Sequence, residues 1–532
     1  MFMQIYVNPR SMNRRDFLVR CATVGAGGYI ISNPSFHART TPKGRPNIIF
    51  LMADDHRAGS LGCMGNSEIE TPNLDALAEK GVVYDNCYAS TPICMAGRAT
   101  VFTGMYEYKT GCNFQTGKVS ADDWNNLSYA VRLRRAGYRT GFAGKWGFPV
   151  ADTDWSEDFD SWGGFKGTGQ GSYVTANNPS LASYAARYPH VTRALGAFGR
   201  DFVASSAASG KPFCVSISFK APHKPHDDID PEDRLKYSGA TFSKPPNYAR
   251  SDLLPIQPKL GRQYYQWPER GPANYQDHLK RYYQLISGID TAVGMVIAEL
   301  EARGLADNTL IIYTSDNGYF CGSHGFQGKV LPYDDSSRIP LIVYDPRSPS
   351  AGRKHRSRAI VSNIDFAPTL LDYAGLDIPS KMDGKSLRTV VDEPDKKIHD
   401  SLLLVQNWGW FGSDHNKALA VVTEDHKYIN WCYADENLPP SEELFDLKND
   451  PHELNDLSED PGSQSVLQQM RAFYDAHHDH WSNFCVDAAD YTRHRIIFDR
   501  EVPWQDKNYR GFKPGNASSD KIQQIYEELT GS

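Results

Sequence analysis

The amino-acid sequence predicts an α/β fold: a large, mixed, mostly parallel sheet sandwiched by helices, followed by a smaller C-terminal α+β domain. Three observations predict it. From residue 47 to about residue 385, short apolar runs alternate with segments of helical apolar spacing. The apolar runs are continuous, as in strands covered on both faces. Polar and charged residues gather just after those runs, where open α/β sheets hold their sites.

Asn47–Ala53 follows a proline, reads as the first buried strand and ends in Asp54-Asp55. Adjacent carboxylates repel unless a cation neutralises them, and oxygen ligands suit calcium or magnesium. The plainer reading of the pair is a helix-capping turn. Residues 71–81 have helix signals: Thr71-Pro72 at the start, apolar spacing within, Gly81 at the end. Val82–Tyr84 reads as a strand. Cys94-Met95-Ala96-Gly97-Arg98 then reads as a helix start. A spacing of four puts Cys94 and Arg98 on one helical face, and a thiol beside a guanidinium is a candidate reactive group. Asn126–Ala136 reads as one amphipathic helix. Tyr138–Ala143 reads as a strand ending in Gly144-Lys145-Trp146-Gly147. Lys145 is placed there for an anion; the plainer reading is a surface lysine with a buried stem.

Residues 151–180 are rich in Asp, Trp and Gly and read as loop, and Leu181–Ser209 reads as helix. Pro212–Phe219 is another buried strand, followed by Pro222-His223-Lys224-Pro225-His226. Residues 227–272 show no clear periodicity and read as an ordered excursion over the site. Tyr275–Arg303 is a long helix. Thr309–Ser315 is a strand ending in Asp316-Asn317-Gly318, with His324 and Lys329 in the Gly-rich loop beyond. Pro340–Tyr344 is a further strand and Phe366–Ala374 a helix. The pattern then changes: strand-like pieces at 401–406, 417–423 and 427–431 precede a helix near 464–478. The expected organisation is an export signal over 1–38, a linker over 39–46, a catalytic domain over 47–385 and an α+β subdomain over 386–532.

Composition narrows the function. With 532 residues the chain can bury a large core, and a net charge of −7 argues against nucleic acid as a partner. Aromatic residues make up 12%, which fits a large core and also sugar-binding surfaces. The 9 cysteines include no CxxC and no paired Cys/His spacing, so a zinc site is not expected.

Near the N-terminus, Met12-Asn13-Arg14-Arg15-Asp16-Phe17-Leu18 precedes an apolar, small-residue run from Val19 to Ile31. A basic region followed by a short apolar one reads as a signal peptide, with no stable membrane span. The arginine pair with its x-Phe-Leu tail resembles the bacterial twin-arginine export signal; an amphipathic first helix is the plainer reading. Export predicts a periplasmic or secreted protein. Cleavage near Ala38 would remove Cys21 and leave 8 of the 9 cysteines, so that with Cys94 set aside at least one stays unpaired.

Taken together and in this order, the motifs resemble the formylglycine-dependent sulfatases of the alkaline phosphatase superfamily. They are Asp-Asp after the first strand, Cys-x-x-x-Arg, Gly-Lys-Trp, Pro-His-x-Pro, Asp-Asn-Gly and Gly-x-His-Gly-x-x-Gly-Lys. A closing Glu443-Leu444-Phe445-Asp446-Leu447 segment with Asp450-Pro451, Glu453 and Asp456-Leu457 completes the set. The resemblance implies an alkaline phosphatase-like fold and hydrolysis of sulfate esters, on a sulfated carbohydrate in an exported bacterial protein. It implies conversion of Cys94 to formylglycine (3-oxoalanine), whose hydrate attacks sulfur with one hydroxyl and expels sulfate with the other. A thiolate lacks that second hydroxyl. By the same resemblance Asp54, Asp55, Asp316 and Asn317, with residue 94, hold one divalent cation, calcium before magnesium. Lys145, His223 and Lys329 would hold the sulfate, Arg98 the formylglycine, and His324 the leaving group or sulfate. A formylglycine-maturing enzyme and the twin-arginine export machinery are the implied partners.

Three positions depart from the family pattern. Ala96 stands where Pro is commonest and Gly97 where Ser is usual; the Ala form resembles the motif accepted by anaerobic, radical-based maturing enzymes. Gly147 stands where the family has a His contacting the diol, and His56 and His226 are candidate replacements; each otherwise reads as a loop His. Two alternatives remain open: a phosphonate or phosphate ester hydrolase of the same superfamily, and a non-catalytic glycan-binding protein.

Overall fold

A computed structural model describes residues 44–114, 116–270, 274–408, 413–511 and 517–532; the predicted export signal and most of the linker lie outside them. Pro42–Ser532 forms one compact unit. Its centre is an eight-stranded sheet in the order β4-β3-β5-β1-β6-β7-β2-β8. The strands are β1 Asn47–Asp54, β2 Val82–Tyr88, β3 Arg139–Gly144, β4 Ser161–Gly164, β5 Phe213–Pro222, β6 Thr309–Ser315, β7 Leu341–Tyr344 and β8 His355–Ser362. Neighbours run parallel except at β7, which is antiparallel to both β6 and β2. The predicted mixed, mostly parallel sheet is therefore present.

β1 shows why its run is uninterrupted. Successive side chains point to opposite faces of a strand. Ile48, Phe50 and Met52 enter one core cluster, and Ile49, Leu51 and Ala53 the other. β1 pairs in parallel with β5 and β6, so it is also covered at both edges. The helix Tyr275–Ala302 lies on the second cluster and buries Leu285, Ile289, Val293 and Val296 at helical spacing.

Several predicted elements differ in detail. The segment 126–136 is two helices, Ala121–Leu127 and Tyr129–Arg135, because Ser128 leaves helical geometry at φ −52°, ψ 120°. Residues 151–180 contain the edge strand β4, whose Ser-Trp-Gly-Gly sequence has no apolar run to betray it. The helix expected from Leu181 begins only at Val191, with His190 capping it, after a 3-10 turn over Pro179–Tyr184. β8 went unpredicted because its first half, His355-Arg356-Ser357-Arg358, is charged.

A second, antiparallel sheet follows in the order β12-β11-β10-β9. Its strands are β9 Leu402–Gln406, β10 Ala418–Val422, β11 His426–Trp431 and β12 Ser441–Asp446, and the helix Gln464–Phe484 packs against it. The residues of the closing motif supply β12. The excursion at 227–272 is tied by backbone to the loop after β6. Ala249 donates to the Gly322 carbonyl at 3.0 Å, His324 to Asn247 at 2.6 Å and Gln327 to Gln263 at 2.9 Å. All eight cysteines among the described residues are free.

Candidate active site

Four adjacent strands deliver the site from their carboxyl ends. β3 ends before Lys145, β5 before His223, β1 in Asp54 and β6 before Asp316 and Asn317. Asp55 turns off β1 at φ 65°, an uncommon conformation for a non-glycine residue. Cys94 is the first residue of the helix Cys94–Thr103, and Arg98 lies one turn on. Lys329 reaches in from the loop after β6.

These side chains meet around Cys94. Its Sγ lies 3.2 Å from Asp54 Oδ1 and 2.5 Å from Lys329 Nζ. Lys145 pairs with Asp54 and Lys329 with Asp55. His223 Nε2 stands 3.8 Å from Asp55 Oδ2, while its Nδ1 donates to the Lys224 carbonyl at 2.7 Å. Arg98 is fully buried. Its Nε donates to Asp316 at 2.8 Å and its Nη1 to the Lys145 carbonyl at 2.7 Å and to Ser218. Arg98 is thus a bracket joining three strand ends to the Cys94 helix.

Two glycines make that bracket possible. A Cβ at Gly97 would lie 2.8 Å from the Asp316 carbonyl oxygen, so glycine lets the helix approach the end of β6. Gly147 has φ +91°, and a Cβ there would lie 2.6 Å from Arg98 Cδ. The arginine stem fills the space that a side chain at 147 would use.

Charge and burial set the protonation pattern. Burial pushes Asp54 up, but Lys145, His223, Arg98 and Lys329 together hold it well below the usual carboxylate range. Burial and Asp54 raise Asp316 to about 6, against Arg98 and the two lysines. Burial lowers His223 to about 4 despite Asp54 and Asp55, so the imidazole is neutral at pH 7. Burial and Asp54 push the Cys94 thiol up to about 12, against Lys145 and Lys329. An unmodified Cys94 is therefore a thiol, not the thiolate nucleophile.

The same residues fit a hard cation. Asp54, Asp55, Cys94 and His223 present ligand atoms all within 4.8 Å of one another. Asn317 donates through Nδ2 to Asp55 at 2.7 Å, which turns its Oδ1 away, buried and without a hydrogen-bond partner among the described residues. A buried carbonyl oxygen left over beside the Asp54 and Asp55 carboxylates suits calcium or magnesium, while Asp316, expected as a further ligand, accepts from Arg98 Nε and Asp55 N.

The remaining candidate histidines make their contacts outside the Cys94 cluster. His56 is held by Tyr313 Oη at 2.8 Å and the Ser60 carbonyl at 3.1 Å, with both ring nitrogens engaged away from Cys94. His226 packs edge-on against His278, with ring centres 4.7 Å apart. His324 is buried with Nε2 3.2 Å from Asn247 Nδ2 and 3.7 Å from Glu453; its partners lie outside the Cys94 cluster. Sequence reasoning missed Ser218, Tyr282, whose hydroxyl donates to the Asp55 carbonyl at 2.6 Å, and Tyr173, which does the same to His223 at 2.6 Å. Only Ser218 left a signal, as a polar residue inside a buried strand.

The family model for sulfatases matches residues 46–376, more than half of the chain. The protein belongs to the sulfatase family. It is accordingly a hydrolase of sulfate esters. A second family model, N-sulphoglucosamine sulphohydrolase C-terminal, matches residues 322–479. An N-acetylglucosamine-6-O-sulfatase of Bacteroides thetaiotaomicron is 28% identical over 80% of this chain and 85% of its own length. An arylsulfatase of Clostridium perfringens is 29% identical over 78% and 90%. A structure solved with its substrate D-glucosamine-2-N,6-O-disulfate superposes with a TM-score of 0.68 at 26% identity, covering 82% of this chain and 98% of that one. A phosphonate monoester hydrolase of Agrobacterium radiobacter shares the fold, with a TM-score of 0.64 at 21% identity over 81% of this chain and 96% of its own.

Proposed function

We propose that this sulfatase removes sulfate from a sulfated poly- or oligosaccharide, with residue 94 acting as formylglycine and one calcium ion at the carboxylates. The observation that carries the reading is Cys94 set between Asp54 at 3.2 Å and Lys329 at 2.5 Å, beside the unpartnered Asn317 Oδ1. The carbohydrate part rests on the N-acetylglucosamine-6-O-sulfatase, to which the chain is similar over 80% of its length.

Converted to formylglycine, residue 94 supplies an aldehyde hydrate, with one oxygen to attack sulfur and another to expel sulfate. The cation supplies Lewis-acid charge at the ester oxygens. The chain's own residues do the rest. Lys145, Lys329 and neutral His223 bind the sulfate group, and their charge gains strength because the cluster is buried. Lys329 Nζ stands at the residue 94 side-chain atom, where its ammonium donates to the attacking oxygen. Arg98 keeps the helix start aligned with Asp316. His324, whose Nδ1 is buried and without a partner among the described residues, is the residue that the resemblance implies for the leaving group or sulfate.

The reading extends to maturation by a radical-type formylglycine-forming enzyme, from Ala96, and to twin-arginine export into the periplasm or medium, from Arg14-Arg15. Among the described residues no helix is long and apolar enough to cross a membrane. Rates on an aryl sulfate, an aryl phosphate and a panel of defined sulfated saccharides test the reaction. Sulfate release exceeding phosphate release, with at least one saccharide desulfated, is expected. Dominant phosphatase activity would transfer the protein to the ester hydrolases whose fold it shares.

A further inference from the structure

The four-stranded sheet carries a cavity of about 460 Å³ that shares no residue with the Cys94 site. Its walls come from the ends of β11 and β12, from Arg471 on the helix Gln464–Phe484, and from the segment 500–509. Three cations line it, Arg471, Arg500 and Lys507, against the single carboxylate of Glu442.

Those charges are not equally engaged. Arg471 is committed to Glu442, with Nε 3.1 Å from Oε2. Arg500 lies over the ring of Tyr474 at 5.6 Å and donates to Asp475 at 3.1 and 3.2 Å. Lys507 is different. Among the described residues its ammonium enters no ion pair, and the acidic groups acting on it are the Cys432 thiol and Asp499. Its stem is half-buried, and burial lowers its pKa. A half-buried cation without an ion-pair partner is costly to keep, and an anion brought into the cavity would offset that cost. Beside it the half-buried Trp504 supplies an apolar ring face, and Gln505 and Ser441 supply hydrogen-bonding groups. A cation, an indole face and neutral polar groups around one cavity suit the acidic group, ring C–H face and hydroxyls of a sugar.

We propose that this cavity is a second saccharide site, which takes an anionic sugar residue with its acidic group on Lys507 and its ring against Trp504. The proposal rests on the carbohydrate reading of the protein. It adds that one polymer chain is held at two places, which raises the local concentration of further sulfate esters at Cys94.

The test uses the full chain carrying Cys94→Ala and titrates it calorimetrically with a heparin-derived tetrasaccharide, then with a hyaluronan tetrasaccharide. Trp504→Ala and Lys507→Gln, each added to that chain, are expected to weaken one heparin tetrasaccharide site about tenfold. In chains retaining Cys94, the same two changes leave aryl sulfate turnover unaltered. Equal binding of hyaluronan assigns the site to carboxylates as well as sulfates, and loss of that binding assigns it to sulfates. Unchanged affinity and stoichiometry in both variants overturns the proposal. Should no saccharide be desulfated by the parent enzyme while Lys507-dependent binding persists, the carbohydrate-sulfatase reading fails and the site stands.

Discussion

The Arg98 stem occupies the place of a side chain at residue 147: an ideal Cβ on Gly147 would lie 2.6 Å from Arg98 Cδ. The position that departs furthest from the family pattern is therefore not an empty corner. The glycine lets Arg98 run past it to Asp316, Ser218 and the Lys145 carbonyl. Adding even a methyl group asks for a strained φ of +91° and a shifted arginine. Gly147→Ala is expected to lower kcat by about a hundredfold through misalignment at residue 94. Steady-state kinetics with folding checked by circular dichroism reads this, and a variant with parental kcat would show that Arg98 has room to move.

In the proposed mechanism Cys94→Ala removes the precursor of the nucleophile but leaves Lys145, Lys329 and His223 in place. Turnover should vanish while an aryl sulfate still binds, as read by calorimetry. Intact-mass measurement of the parent protein from a host with a competent maturing enzyme should show the thiol converted to the aldehyde. Residual turnover by the alanine variant would end the formylglycine mechanism.

Asn317 would offer the proposed cation a neutral oxygen that no group among the described residues engages. Asn317→Leu keeps the volume and deletes that oxygen. A ligand that binds only the folded state raises Tm in proportion to the logarithm of its concentration over Kd. The calcium-induced rise in Tm of the chelator-treated parent should therefore shrink in Asn317→Leu, corresponding to affinity weaker by about tenfold or more. An identical calcium response would remove Asn317 from the ligand set.

Glu443, on β12, supplies a pH-dependent term outside the Cys94 cluster. Its Oε2 accepts from Trp431 at 2.7 Å and Tyr333 at 2.8 Å, and its Oε1 is buried without a partner among the described residues. Burial, helped by Asp456 and Glu453, raises it from 4.5 to about 8 against those two hydrogen bonds. The folded state thus binds a proton that the unfolded state releases near pH 4.5. The stability from this group is complete below about pH 4.5 and is lost as pH rises to about 8. Glu443→Gln should flatten the decline of Tm across that window and be the more stable protein at pH 8. Parallel Tm profiles for the two proteins would refute the assignment.

Much of the site was legible in one dimension because strand ends are short in sequence. The run Asn47–Ala53 and the carboxylates after it, the Cys94–Arg98 spacing, Lys145 after a strand and Asp316-Asn317 after another each announce themselves locally. A continuous apolar run needs cover on both faces, and polar residues at its end need a reason to be there. β12 and β8 were not legible, since Glu443 and Arg356 disguise strands whose polar side chains find specific partners only after folding.

By itself the sequence determined the class of fold, the order of the elements and the polar residues that gather around Cys94. Tertiary structure alone decided that His56 makes its hydrogen bonds elsewhere while His223 joins them. His56 spends both nitrogens on Tyr313 and Ser60, while His223 is brought to Asp55 by the parallel pairing of β5 with β1. It also decided what Gly147 means. Local pattern records which side chain is missing, but only packing shows that Arg98, 49 residues earlier in the chain, fills the space.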